Sequence, residues 1–306
     1  MIFQIDDKLL AHFKGAKLSD LVSAIMDGQH YIKCRPSIRK VIEEAVLANA
    51  STTQYERFQS YQGFDIPTQY HLYITTLNLS DFEDSQVEAL VSRPSWLIVE
   101  NELNEWPVYK HMMYQYRKDR KFGDFYEMLL QAADKTLIPH TTGGYGQFQQ
   151  ALISHDAEGQ YQGTLRYKSC TLVDRDTDGP NLYDANKAKL YTFLSGKEFN
   201  ELTDEDIYSL DQPHYIWHMW YKRAIENYFP VESYRAIGAN IEKIPDTEEE
   251  RDYLKYNDDI YQKKDLPRLT TSITRSKYEE TLKKFPFNGE QISELQLFLL
   301  KLVKII

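Results

Sequence analysis

The sequence predicts an α/β fold: a parallel sheet with flanking helices, with a mostly helical segment before it and a helical region after it. Three observations carry that reading. Short strand-like runs stand at 96–99, 137–141 and 167–173, and the first is continuously apolar, as in a strand buried on both faces. Stretches with helical character separate these runs. Each run ends in a polar feature: Glu100, then the Gly143-Gly144 pair, then Asp174 with Asp176. Parallel sheets bind ligands at the carboxyl ends of their strands, so the three features are expected on one edge.

The elements follow in order. Residues 1–94 show helical spacing at 18–26 and 38–47 and a strand-like alternation at 70–76, with no recognisable chemistry. Residues 95–230 form the α/β part. After Trp96-Leu97-Ile98-Val99, the pattern predicts a helix over 105–118, with Pro107 tolerated in its first turn. A second helix is expected over 125–133, a strand over 137–141, a glycine-rich loop over 142–146 and a helix over 148–154. The strand at 167–173 runs into Asp174-Arg175-Asp176-Thr177-Asp178-Gly179-Pro180, whose last three residues are turn chemistry. A further strand is expected at 214–220, and residues 231–306 read as mainly helical, with a charged, poorly periodic stretch at 246–265. The closing LQLFLLKLVKII is too short to span a bilayer and reads as a helix buried in the core.

The net charge of −10 does not exclude a nucleic-acid partner, because binding follows local patches. Acid is concentrated at 242–259 and base at 110–121 and 263–284, each run reading first as a solvated face. Cys34 and Cys170 form no metal or redox motif, a usage that fits a reducing, cytoplasmic setting. The first residues show no basic region followed by an apolar core, so no signal peptide and no membrane association is expected.

Asp174 and Asp176, two carboxylates at i and i+2 after a strand, suit Mg²⁺. That ion takes one or two protein carboxylates and keeps water and phosphate for the rest. The alternative is a solvated acidic turn, with Asp178 structural or an outer ligand. Glu100 directly follows four apolar residues and is expected to have a partner. It reads as a metal ligand or general acid/base, or more plainly as a residue near the positive end of a helix. Glu226 lies beside Lys222 and Arg223, so an intrahelical surface ion pair competes with a ligand role.

The order of Trp96-Leu97-Ile98-Val99-Glu100, Thr142-Gly143-Gly144, Leu172-Val173-Asp174-Arg175-Asp176 and Ile225-Glu226-Asn227-Tyr228 resembles a TOPRIM domain. The version it looks most like is that of OLD-family nucleases and related small TOPRIM effector proteins of bacterial antiphage systems. The resemblance covers roughly residues 95–230. It departs from the family at Asn101, where glycine is usual, and at Asn104, where an acidic residue is common. Glu105 would compensate for Asn104, and Glu102 is an alternative ligand to Glu100.

The resemblance implies a Rossmann-like fold and a nuclease that needs Mg²⁺ or Mn²⁺ and cuts DNA or RNA. Glu100, Asp174, Asp176 and Glu226 would hold metal, with Glu105 completing a second site if two ions bind. Glu100 would alternatively shuttle a proton. Lys222 or Arg223 would stabilise transition-state charge, and Gly143 and Gly144 would allow close backbone approach. No GxxxxGK[ST] loop occurs in the chain, so ATP, if used, would come from a separate ATPase of ABC or AAA type. A homo-oligomer is compatible with this picture. Two rival readings are a topoisomerase- or primase-type enzyme and a degenerate binding or scaffold module.

Overall fold

The computed structural model describes residues 1–157, 160–179 and 183–306, apart from the side chains of Ala157 and Ser272. The chain divides into two compact units. One comprises Met1–Ser95, Leu152–Lys168 and Lys304–Ile306, and the other Trp96–Ala151 and Ser169–Val303.

The first unit holds a three-stranded parallel sheet of β1 (Ile2–Gln4), β2 (Tyr31–Lys33) and β3 (Thr76–Asn78), in the order β2-β1-β3. The helices Gly15–Asp27 and Pro36–Asn49 appear where the apolar spacing places them and bury Leu18, Leu21, Val22, Ile25, Ile38 and Ile42. The strand expected at 70–76 is instead a 3-10 helix, Thr68–Leu72, with β3 starting only at Thr76. Pro67 begins that turn, and the N–H groups of Tyr70 and Tyr73 donate to Pro67 and Tyr70 carbonyls. The backbone donors a strand would need are therefore used locally.

The second unit is built on a four-stranded sheet. Its strands are β4 (Ser95–Val99), β5 (Leu137–Thr141), β6 (Ser169–Val173) and β7 (Ile216–Met219), in the order β5-β4-β6-β7. β4 pairs with β6 and β6 with β7, both parallel. Every residue of β4, β6 and β7 is buried, as expected for strands covered on both faces. β5 is an edge strand and carries Pro139, tolerable there because an edge leaves donors unpaired. The hydroxyl of Thr141, the last residue of β5, donates to the Glu100 carbonyl at 2.7 Å, so β5 ends at the same edge as β4.

The helix after β4 runs Glu102–Tyr116, starting three residues before the expected 105. Pro107 accordingly lies beyond its first turn. Gly123–Ala132 and Phe148–Ala157 match the next two expected helices. The C-terminal helix, Glu294–Ile305, buries Leu295, Leu297, Phe298, Leu299 and Leu300 as its composition requires.

The segment set apart at 231 belongs to the second unit as far as Val303, and there the Tyr234 and Tyr261 hydroxyls both hydrogen-bond Glu226. It is also less helical than expected, since Lys284–Phe287 and Glu290–Ser293 form an antiparallel hairpin, β8 and β9. Both cysteines are free. Among the described residues no helix is long and apolar enough to cross a membrane.

Candidate active site

The strand order creates a switch point. From β4 the chain crosses to β5 on one side, and from β6 to β7 on the other. The crevice between the carboxyl ends of β4 and β6 is where open α/β sheets bind ligands. Their register pairs Ile98 with Thr171. Continuing it two places sets Glu100 beside Val173, one residue before Asp174.

Glu100 is half-buried, and its Oε1 is buried with no hydrogen-bond partner among the described residues. The helix that follows is capped by Asn101, whose side chain accepts the Asn104 N–H at 3.3 Å. Asn101 thus serves as the helix cap, and Asn104 contributes its backbone N–H. Glu105 turns inward and is buried. Its Oε1 accepts the Asn101 N–H at 3.2 Å and its Oε2 the Tyr109 hydroxyl at 2.8 Å. Burial pushes its carboxyl up to about 7; Lys263 and the Tyr109 hydroxyl oppose this, and Glu226 and Glu100 add to it. Glu102 is turned instead to β5, where its Oε2 accepts the Thr141 N–H at 3.2 Å.

Asp174 is held well above the usual carboxylate range, first by burial and then by Glu226, Glu105, Glu100 and Asp176. Arg175 points the other way into the core, donating to the Trp220 carbonyl at 3.2 Å and the Tyr208 hydroxyl at 2.8 Å. Asp176 has φ 57°, a left-handed conformation that aspartate tolerates. Its N–H donates to the Arg223 carbonyl at 3.0 Å. The buried Lys187 ammonium donates to Asp176 Oδ2 and to the Asp174 carbonyl, each at 2.6 Å. Asp178 is exposed and ion-paired with Arg223, and the Thr177 hydroxyl closes the turn on the Gly179 carbonyl. Pro180, the end of that expected turn, lies outside the described residues.

Glu226 sits in a 3-10 turn, Ile225–Tyr228, rather than on a surface helix, and is buried. Its Oε1 accepts the Tyr261 hydroxyl at 3.0 Å and lies 3.9 Å from the Lys263 ammonium. Its Oε2 has no hydrogen-bond partner among the described residues. Asn227 fixes the turn, accepting the Ala224 N–H and donating to the Arg251 and Leu254 carbonyls.

Two expected roles change. Lys222 pairs with Asp252 at 2.6 Å, and the cation that meets the acidic centre is Lys263. Burial lowers the Lys263 ammonium, but Glu226, Asp174, Glu105 and Glu100 outweigh it and hold the group above its usual value. Gly143 and Gly144 adopt φ 81° and 127°, and a Cβ at either would meet nothing within 4 Å. They are glycines for their backbone conformation, not for close approach by another part of the chain. Sequence reasoning missed Lys187, Lys263 and Tyr261. Lys263 lay in a run read as a solvated face, and Lys187 in a segment with no motif.

The centre therefore gathers Glu100, Glu105, Asp174 and Glu226 around mutual repulsion, with Lys263 as partial counter-charge and Asp176 clamped alongside by Lys187. Among the described residues no three His, Cys, Asp or Glu side chains are close enough to hold a metal ion as they stand. No protein-family model, curated protein or solved structure matches the chain.

Proposed function

We propose that the chain is a divalent-metal-dependent phosphodiester hydrolase of TOPRIM type that cuts DNA or RNA. The observation that carries this reading is that Glu100 and Asp174, at the ends of the strands that flank the switch point, and Glu226, from a distant part of the sequence, act on one another electrostatically. The donor set is all oxygen, as Mg²⁺ and Mn²⁺ prefer. Glu100 and Glu226 each keep a buried carboxylate oxygen with no hydrogen-bond partner among the described residues, an arrangement that costs free energy unless a cation meets it.

Glu100, Asp174 and Glu226 would hold the ion, with Asp176 joining if Lys187 releases it. Bound there, the metal supplies charge neutralisation at a phosphate and a more acidic water. The chain's own groups do the rest. Glu105, buried beside these carboxylates and hydrogen-bonded by Tyr109, is placed to give or take a proton. Lys263, rather than Lys222, is the cation placed to meet charge developing on a phosphoryl oxygen. Lys187 and the Arg223 carbonyl fix the loop that carries Asp176.

The resemblance to OLD-family nucleases extends the proposal to an antiphage effector controlled by a separate ATPase. A second reading, a degenerate TOPRIM binding module, is favoured by the unclosed ligand set and by the Lys263 ammonium beside it. Incubating the purified chain with DNA and RNA, with and without Mg²⁺ or Mn²⁺, separates the two. The hydrolase reading expects metal-dependent fragments that disappear in folded Glu100→Ala and Asp174→Ala variants. Cleavage by both variants at the wild-type rate overturns it, and an inert wild type that binds no Mn²⁺ favours the module.

A further inference from the structure

Glu226 and Asp176 depend on one segment, residues 220–228. Glu226 lies in its 3-10 turn, and the Asp176 N–H is anchored on its Arg223 carbonyl. That segment is tied down from far along the sequence. Glu294, the first residue of the C-terminal helix, is fully buried. Its Oε1 accepts the Tyr221 N–H at 2.6 Å and lies 3.3 Å from His218 Nε2. Its Oε2 accepts the Tyr228 hydroxyl at 2.6 Å, and that hydroxyl accepts the Lys222 N–H at 3.2 Å. One carboxylate thus grips the loop on both sides of Glu226, at Tyr221 just past β7 and at Tyr228.

Helix formation does not require this group. Ser293 and Gln296 already cap the helix: the Ser293 N–H donates to the Gln296 side chain, and the Gln296 N–H to the Ser293 hydroxyl. A buried carboxylate is costly unless its lone pairs are used, and here both oxygens accept from the segment that carries Glu226. An amide would reverse the second bond: its N–H would donate to the Tyr228 hydroxyl and leave that hydroxyl's own proton without the carboxylate it now meets.

We propose that Glu294 is a positioning residue for the acidic centre, holding Glu226 directly through Tyr228 and the Asp176 loop through Arg223. The metal-binding part of this inference rests on the function proposed above, whereas the grip on the loop does not. Lys301 provides the control. It is also buried on the same helix, but its ammonium donates to the Ile207 and Trp217 carbonyls, away from residues 220–228.

The test compares wild type, Glu294→Gln, Tyr228→Phe and Lys301→Met by Mn²⁺ titration calorimetry, by amide hydrogen exchange over residues 221–228 and by melting temperature. Glu294→Gln and Tyr228→Phe are expected to weaken Mn²⁺ binding by roughly tenfold, the usual size for loss of a group that orients a ligand. Both are expected to speed exchange over 221–228. Lys301→Met is expected to lower the melting temperature with Mn²⁺ affinity unchanged. Wild-type affinity and exchange in both Glu294→Gln and Tyr228→Phe overturn the proposal, as does an equal loss of affinity in Lys301→Met. If Glu294→Gln does not fold, Tyr228→Phe decides. If wild type binds no Mn²⁺, the metal reading fails and exchange alone decides the grip: faster exchange in the two loop variants supports it, and unchanged exchange overturns it.

Discussion

Replacing Glu105 by glutamine should make the metal-free protein more stable at pH 8 than wild type, by an amount that vanishes in acid. Burial, with Glu226 and Glu100 adding to it, pushes this carboxyl from its ordinary 4.5 up to about 7. The difference corresponds to about 3 kcal/mol between its two protonation states. Below pH 4.5 Glu105 is protonated in both folded and unfolded chains, so the stability that goes with its raised value is fully present. As the pH rises toward 7 the unfolded chain releases a proton that the folded one still holds, and stability falls until the folded group has also ionised. Glutamine keeps the shape, accepting the Asn101 N–H through its oxygen and donating to the Tyr109 hydroxyl as a protonated carboxyl would, yet carries no such dependence. Urea unfolding of both proteins from pH 4.5 to 8 in chelator should therefore give curves that diverge by about 3 kcal/mol in favour of glutamine. Mn²⁺ at pH 8 should narrow the gap, because a dication favours the ionised carboxylates. A constant difference across the range, or wild type gaining on the variant as pH rises, would show that Glu105 does not carry this pH dependence.

Three further outcomes are expected. Gly144→Ala, at φ 127°, should cost about 1–3 kcal/mol in urea unfolding, whereas Gly146→Ala nearby should cost far less. Asn101→Ala removes the cap of the helix Glu102–Tyr116 and should cost about 1 kcal/mol in the same measurement. Lys263→Met removes the ammonium 3.9 Å from Glu226 and should tighten Mn²⁺ binding several-fold by calorimetry, while Lys222→Met, whose ammonium pairs with Asp252, should leave it unchanged.

Burial on both faces writes itself as apolar runs, which made β4 and β6 legible, and β4, β5, β6 and β7 all lie within two residues of their expected ends. Glu100 and Asp174 were legible for the same reason, since each follows the last residue of a buried strand, whereas Glu226 in its 3-10 turn stood out only through the resemblance. Local hydrogen bonding hid other elements. The aromatic, alternating YHLYITT satisfies a strand pattern, but Pro67 turns its start into a 3-10 helix. The β8–β9 hairpin was overlooked although its Asn288-Gly289 turn, with φ 48° and 81°, is a strong short-range hairpin signal. The partners of the acidic residues were not legible at all. Lys187, Lys263, Tyr261 and Glu294 reach the centre or its supports only through tertiary folding, across separations that no local pattern encodes.

A divalent-metal site made by Glu100, Asp174 and Glu226 should be visible by anomalous scattering from a crystal soaked in millimolar Mn²⁺. The expected result is a peak bounded by these three carboxylates, with the Lys263 ammonium moved away from Glu226. Well-ordered side chains at all three positions with no anomalous peak among them would rule the site out.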